Sequence, residues 1–415
     1  MELTKIGFKK TEIGLIPEDW DVKQIGSISN SFSGGTPNTT VREYYQGKIP
    51  WISSSELNQG LIKRTKGFIS QKGLESSSAK MVNEETFLLA MYGATAGVSA
   101  ITKIDGAINQ AVLAIESASV LPYYLYSYFQ LRKDDIIKTY TQGGQPNLSG
   151  NIVKSIKIPL PPTLTEQKAI ATALSDVDSL ISSLDKLISK KKAIKQGAMQ
   201  ALLKGKKRLK GFNDHSEMKD SEFGPIPTDW EVKLLPEVFD YIHGKAHEQF
   251  ISSDGNYKVV NSKFVSTEGK VVKNSSVNFC PAKKGDILTV LSDLPNGKAL
   301  AKTFLVEEND VFAVNQRVCI WRTKKDSSLF LNYVMNRNKY FLKLDDGVTQ
   351  THILNNHIEK CPVLLPKSIE EQSAIGECLK AMDLEIESLE NKKAKYEEIK
   401  QGMMQELLTG KTRLV

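Results

Sequence analysis

His243 and His247 stand four residues apart. On a helix that spacing would turn two imidazoles to one side and offer two nitrogen ligands to a divalent metal. The pair lacks a third ligand at a metal-binding spacing, so it reads as a surface pair and no metal is expected. Other chemistry is equally hard to assemble. The chain has no GxxxxGK[ST] phosphate loop, no GxGxxG after a strand, no HExxH and no GxSxG elbow. It also lacks the Asn/Asp-Pro-Pro-aromatic signature expected of an amino-group DNA methyltransferase. Ser, His and Asp occur without a triad-like spacing. These absences point away from an enzyme and from a bound cofactor.

What remains is hydrogen-bonding chemistry on polar, glycine-bearing loops. In the first half these are "SGGTPNTT" (33–40), "WISSSEL" (51–57), "MYGATAG" (91–97) and "TQGGQPN" (141–147). In the second half they are "YIHGKAHEQ" (241–249), "VNSKF" (260–264), "LSDLPNGK" (291–298) and "GVTQTH" (347–352). Their side chains can bond base edges and phosphates, and their glycines let a ligand approach the backbone. The candidate contacts in the first half are Thr36, Asn38, Thr39, Ser54, Tyr92, Thr95, Gln145 and Asn147. Those in the second are His243, Lys245, Asn261, Lys263, Asn296, Lys298, Gln350 and His352. The same side chains could instead brace turns within the chain, and the loops alone leave both readings open.

The elements that must carry these loops come in two textures. Short apolar runs bounded by turn residues, such as "ETFLLAMYG", "GAINQAVLAI" and "GDILTVLSD", predict strands. "PYYLYSYFQLRK" (122–133) and "LFLNYVMNRNKYF" (329–341) predict helices in equivalent places. After "PLPPTLTEQ" and "LLPKSIEEQ" a long helix is expected in each half, with Thr165 and Ser368 as N-caps and acidic residues in the first turn.

The chain repeats itself. "KQGAMQALLKGKKRL" (195–209) returns as "KQGMMQELLTGKTRL" (400–414), a shift of 205 that also carries Glu166-Gln167 onto Glu371-Gln372. "IPEDWDVK" (16–23) matches "IPTDWEVK" (226–233), and "INQAV" (108–112) matches "VNQRV" (314–318). A period near 205–210 residues means two similar modules, since solenoid repeats are far shorter. Both long helices carry a 4-3-4 apolar seam: Ile170, Leu174, Val177, Ile181, Leu184 and Ile188 in the first, and Ile375, Leu379, Met382, Ile386 and Leu389 in the second. Residues 166–203 would span about 57 Å. Such helices would leave a wet apolar stripe unless they pack on each other, antiparallel so that the modules go to opposite ends. Packing of each helix on its own module alone is the competing expectation.

Composition sets the bounds. A length of 415 residues suggests two to four domains, and no apolar run reaches the ~18 residues of a membrane span. The start, "MELTKIGFKKTEIG", has no apolar h-region, so no signal peptide is expected. Four widely spaced cysteines, Cys280, Cys319, Cys361 and Cys378, fit a reducing, cytoplasmic setting. The net charge of +7 is uneven, because residues 164–210 alone carry 11 basic and 4 acidic side chains. That segment suits a polyanion or an acidic partner helix, and a solvated helix face would suit it too.

"GLIPEDW", "SGGTPNTTVREYYQGKIPWISSSEL", "GGQPNLSGNIVKSIKIPLPPTLTEQKAIATAL" and "KQGMMQELLTGKTRL" together resemble the specificity subunits of type I restriction–modification enzymes, over essentially the whole chain. The resemblance implies an α+β chain with a pseudo-twofold internal duplication. Two similar α/β target-recognition domains, 1–163 and 211–366, would be separated by two long conserved helical regions, 164–210 and 367–415, forming an antiparallel coiled coil. Each domain would read one half of a bipartite site in double-stranded DNA. The helices would dock two adenine-methyltransferase (modification) subunits, joined by motor-nuclease (restriction) subunits. The chain itself would be non-catalytic, directing adenine methylation and restriction. S-adenosylmethionine, ATP and magnesium would belong to the partners. The repeated ending would be shared because both copies meet equivalent methyltransferase subunits, while the divergent loops read different bases.

"SGGTPNTT" shows no clear counterpart in "YIHGKAHEQ", so unlike half-sites are expected and no single loop residue carries over. An orphan or fused DNA-modifying enzyme, and a protein-binding adaptor without DNA recognition, are the competing readings.

Overall fold

The computed structural model describes residues 7–140, 147–212, 217–294 and 297–414. The chain forms two compact units, one of residues 1–186 with 390–415, the other of residues 187–389. The division falls inside both long helices, Leu164–Leu202 and Ile369–Leu407. Each unit therefore holds one mixed module, the opening turns of the long helix that follows it, and the closing turns of the other long helix.

In the first unit a five-stranded sheet runs in the order Asn30–Ser33, Val112–Glu116, Phe87–Ala90, Ser99–Thr102, Leu61–Ile62. Its central strand comes from "ETFLLAMYG" and is buried at every position, as a strand covered on both faces must be. Side chains alternate with the pleat. Phe87 and Leu89 face a core that includes Tyr124, Leu125 and Phe129 of the helix Pro122–Tyr140. Leu88 and Ala90 face a second core with Ile52, Val82 and Ile108. Ile52, Val82 and Ile108 belong to a four-stranded sheet ordered Gly67–Ile69, Ile49–Ile52, Gly106–Ile108, Lys80–Val82.

The second unit repeats this layering. Phe239–His243, Val318–Thr323, Ile287–Val290 and Thr303–Leu305 form one sheet, and Asn274–Ser275, Tyr257–Val260 and Phe312–Val314 another. Ile287 and Trp321 face the helix side, while Leu288 and Ile320 face the second sheet. The expected helix over 329–341 is two helices, Ser328–Met335 and Lys339–Leu342. Between them Asn336 is extended and Arg337 adopts a left-handed φ of 54°. The side chain of Asn338 then starts the second helix by accepting from the Tyr340 N–H at 2.9 Å.

The long helices begin as the prolines dictate, with one change of cap. Thr163, not Thr165, accepts the Glu166 N–H at 3.2 Å, since helical backbone already starts at Leu164. Ser368 accepts the Glu371 N–H at 3.2 Å.

The closing turns of each helix dock on the module of their own unit. In the first unit Met404, Leu407 and Leu408 join Ile170 and Leu174 in one core with Trp20 and Tyr124. In the second, Leu202 joins Ile375 and Leu379 with Trp230 and Phe330. The helix then ends at a glycine in the left-handed region, Gly410 (φ 70°) and Gly205 (φ 66°), the usual chain reversal after a helix. A Cβ on Gly410 would sit 2.4 Å from Pro17, and one on Gly205 2.7 Å from Pro227. Just beyond, Arg413 reaches the carboxylates of Glu166 and Asp19, and Arg208 reaches those of Glu371 and Asp229. The repeated "IPxDW" and "GKxRL" stretches are thus two halves of one contact. Much of the repeated ending is used inside the unit itself.

The two helical segments of each unit run antiparallel. In the first unit Asp178 pairs with Lys400 and Asp185 with Lys393, both at 2.7 Å, so seven residues forward on one helix are seven back on the other. In the second unit Lys191 meets Glu385 and Lys195 meets Asp383. Part of the basic surplus of 164–210 therefore faces acidic residues of the second helix. Of the remaining seam residues, Leu184, Ile188 and Ile386 are buried, while Val177, Ile181, Met382 and Leu389 are half-buried.

Candidate nucleic-acid interface

Each module gathers its polar loops around one turn. In the first module the turn is Asn109-Gln110-Ala111, between the strands Gly106–Ile108 and Val112–Glu116. Three of the loops tie to this turn through the backbone. Gly34 N–H donates to Asn109 O at 3.2 Å, Asn109 N–H to Ile52 O at 3.2 Å, and Met91 N–H to Ala111 O at 2.9 Å. The fourth tie is one step removed, from Leu148 N–H to Met91 O at 2.8 Å. The loops at 33–40, 51–57, 91–97 and the segment from Asn147 therefore converge.

The second module repeats three of these ties around Asn315-Gln316-Arg317, and its first loop bonds the residues that flank the turn. Asn315 N–H donates to Val260 O at 3.0 Å, Leu291 N–H to Arg317 O at 2.9 Å, and Ile353 N–H to Leu291 O at 2.8 Å. Gly244 N–H donates to Val318 O and Lys245 N–H to Val314 O, both at 2.9 Å. "SGGTPNTT" does have a structural counterpart in "YIHGKAHEQ", because Gly34 and Gly244 both press on the backbone where the strand enters the turn. A Cβ on Gly34 would lie 1.8 Å from Ile108 O, and one on Gly244 2.1 Å from Asn315 O. Backbone bonds leave no mark in side-chain sequence, so the match is invisible in the letters.

The individual candidates divide by what they already bond. In the first module Thr36 donates its hydroxyl to Gln110 Oε1. Asn38 closes a local turn by accepting from the Thr40 N–H and hydroxyl at 3.0 and 2.9 Å. Thr39 is exposed and Ser54 half-buried. Tyr92 is exposed, with Thr95 bonded to its carbonyl at 3.2 Å, and its backbone bridges to exposed Asn147. Gln145 and Asn296 lie outside the described residues.

In the second module the backbone of Ser292 pairs with that of exposed His352, and Gln350 donates to the Ser292 hydroxyl at 2.8 Å. Lys245, Lys263 and Lys298 are exposed cations. Asn261 caps the short helix Ser262–Ser266, accepting from the Phe264 N–H at 2.9 Å.

The histidines are not a surface pair. His243 ends a strand, exposed, with its ring 3.1 Å from Asn355 Oδ1. His247 is fully buried, and its Nε2 accepts from the Phe279 N–H at 3.0 Å. The strand and loop between them prevent a shared helix face. Among the described residues no group of His, Cys, Asp or Glu could hold a metal ion.

Two residues at the second turn escaped the sequence reading. Glu248, inside a quoted loop, accepts from Asn315 Nδ2 at 2.8 Å and Gln316 Nε2 at 3.0 Å on one oxygen, and from the His247 N–H at 3.2 Å on the other. The Asn315 hydrogen bond holds its carboxyl below the usual carboxylate range, against the opposing effect of burial. Arg317 is exposed at the position that holds Ala111 in the first module. The signal that could have found both was the Asn-Gln dipeptide common to the two halves.

Comparison with known proteins agrees with this layout. The family model of the type I restriction modification DNA specificity domain matches twice, at residues 17–196 and 227–401. The type I restriction enzyme MjaVIII specificity subunit of Methanocaldococcus jannaschii is 32% identical, covering 98% of this chain and 96% of that one. A putative MjaX specificity subunit of the same organism is 28% identical over 98% and 97%. The solved type I restriction-modification S subunit of M. genitalium has a TM-score of 0.62 at 15% identity, covering 98% of both chains, and so shares the fold. Two matches of one family model, carried on two modules with the same backbone turn, place this chain in the family of type I restriction–modification specificity subunits, the DNA-recognition members that perform no chemistry themselves.

Proposed function

We propose that the modules at 1–163 and 211–366 each read one half of a bipartite site in double-stranded DNA. In this reading the regions 164–210 and 367–415 form one antiparallel coiled coil that docks two methyltransferase subunits, with motor-nuclease subunits joining the assembly. S-adenosylmethionine, ATP and magnesium act in those partners, and the complex works in the cytoplasm. The observation that carries the proposal is the shared turn: three corresponding backbone ties in each module hold loops whose side chains differ, as two readers of unlike sequences require. Docking has its own support. Gln196 and Gln401, and Gln200 and Gln405, are repeated yet exposed in both copies, and they line the groove at the end of each long helix.

No helix among the described residues is long and apolar enough to cross a membrane.

Methylome sequencing of cells with and without this chain, its modification subunit present in both, tests the proposal. A split adenine-methylation motif should appear with the chain and vanish without it. Identical methylation in both strains would overturn the reading.

A further inference from the structure

Glu248 is an anion on a surface proposed to face a polyanion. It is exposed, and its carboxylate is held by three donors, Asn315 Nδ2, Gln316 Nε2 and the His247 N–H. In the first module the matching contact to Gln110 comes from the neutral hydroxyl of Thr36. An ionised carboxylate only accepts, and it offers about four lone-pair directions. The side chain is nevertheless exposed, so a donor arriving from outside can reach it.

The same logic fixes Gln316. Facing a group that cannot donate, its amide must turn nitrogen toward Glu248 and oxygen away. The turn therefore carries two exposed acceptor groups, the Glu248 carboxylate and Gln316 Oε1. Phosphates repel such a pair and offer it no proton. The donors a duplex displays in its major groove are the exocyclic amino groups, cytosine N4 and adenine N6.

We propose that Glu248, together with Gln316 Oε1, reads one exocyclic amino group in the half-site of the second module. This rests on the DNA-reading function proposed above. A merely structural Glu248 would brace the turn, and its loss would lower stability without changing which base is preferred.

The test uses the whole chain assembled with its modification subunits. Binding is measured to duplexes varied at every position of the recognised site. Wild type should prefer adenine or cytosine over guanine or thymine on one strand at one position of the second half-motif. Glu248→Gln should reduce that preference roughly ten-fold and leave the other half-motif unchanged. A variant with wild-type preference at every position overturns the proposal.

A second arm needs no variant. Each adenine of the half-site is replaced by purine lacking the 6-amino group, and each cytosine by an analogue lacking the 4-amino group. One sensitive position is expected, and it says which base is read. Binding is scored, so loss of the methylated amino group itself does not count. Insensitivity throughout overturns the proposal even if Glu248→Gln fails to assemble. A wild-type complex with no preference anywhere in the second half would instead sink the DNA-reading function, and this inference with it.

Discussion

Arg413 grips the carboxylate of Glu166 across 247 positions of chain, with Nη2 2.7 Å from Oε2, while the far side of the guanidinium takes both oxygens of Asp19. Glu166 is only 1% exposed. A buried carboxylate stripped of its partner is costly, because the charge keeps its desolvation penalty and loses its compensation. Arg413→Met should destabilise the first unit by about 3–5 kcal/mol. Arg208→Met should do the same to the second unit, through Glu371. Adding Glu166→Gln to Arg413→Met should recover part of the loss. Urea titration of the four proteins checks this, and two single variants at wild-type stability would refute it.

The same cluster gives a pH dependence. The hydrogen bond from Arg413 holds the Asp19 carboxyl below its usual range. A lowered folded-state value means the contribution is present above the unfolded value, near pH 4, and is lost as pH falls through the folded one. Wild type should therefore melt higher than Asp19→Asn at neutral pH, and the gap should close as pH falls below about 4. A gap that widened on acidification would contradict the assignment.

Along the first helix, Leu174 is fully buried and Leu187 is 38% exposed. Leu174→Ala should cost about 2–5 kcal/mol, through lost transfer energy and the cavity left behind. Leu187→Ala should stay within about 0.5 kcal/mol. Leu184 is buried as well, so Leu184→Asp would place an unpaired charge in the seam. Thermal melts of the three variants, with assembly measured alongside, test the seam. A harmless Leu184→Asp would show it to be misplaced.

Burial pushes the thiols of Cys319 and Cys361 up to about 12 and raises that of Cys280 as well. The thiolate is the reactive form, so these three should resist iodoacetamide at pH 7.5 in the native protein. Half-buried Cys378 should be modified first. Mass spectrometry after brief labelling distinguishes the four, and early modification of Cys319 would argue against the packing around it.

Exchange of residues 234–366 for the matching stretch of a relative should alter one half of the methylated motif and leave the other unchanged. Mapping methylated adenines in cells carrying the exchange gives the answer. A change in both halves would mean the modules share a reading surface.

The letters carried much of this fold. The duplication, the long helices and the buried strands Phe87–Ala90 and Ile287–Val290 follow from period and apolar runs. The docking of Met404, Leu407 and Arg413 on the first module did not, although its signal was present. "IPxDW" and "GKxRL" repeat in step, yet a contact between residues some 400 positions apart leaves no local periodicity to read. The loop candidates suffered from a different blindness. Asn261 and Asn38 are the residue types that bond DNA and equally the types that close caps and turns, and only geometry separates the uses. Glu248 is hidden for a further reason, because cations and amides are the usual DNA contacts and a carboxylate becomes legible there only through the donors around it.

The composition of the first unit also imposes an order of events during synthesis. Residues 1–186 leave the ribosome long before residues 390–415, which complete their core. About 200 residues intervene, a wait of roughly 10–40 s at ordinary elongation rates. Residues 187–389, by contrast, form a contiguous unit that can close as it emerges. The nascent first module must spend that interval with the seats of Met404, Leu407 and Leu408 empty, beside Trp20 and Tyr124. Those seats are where a chaperone would find it.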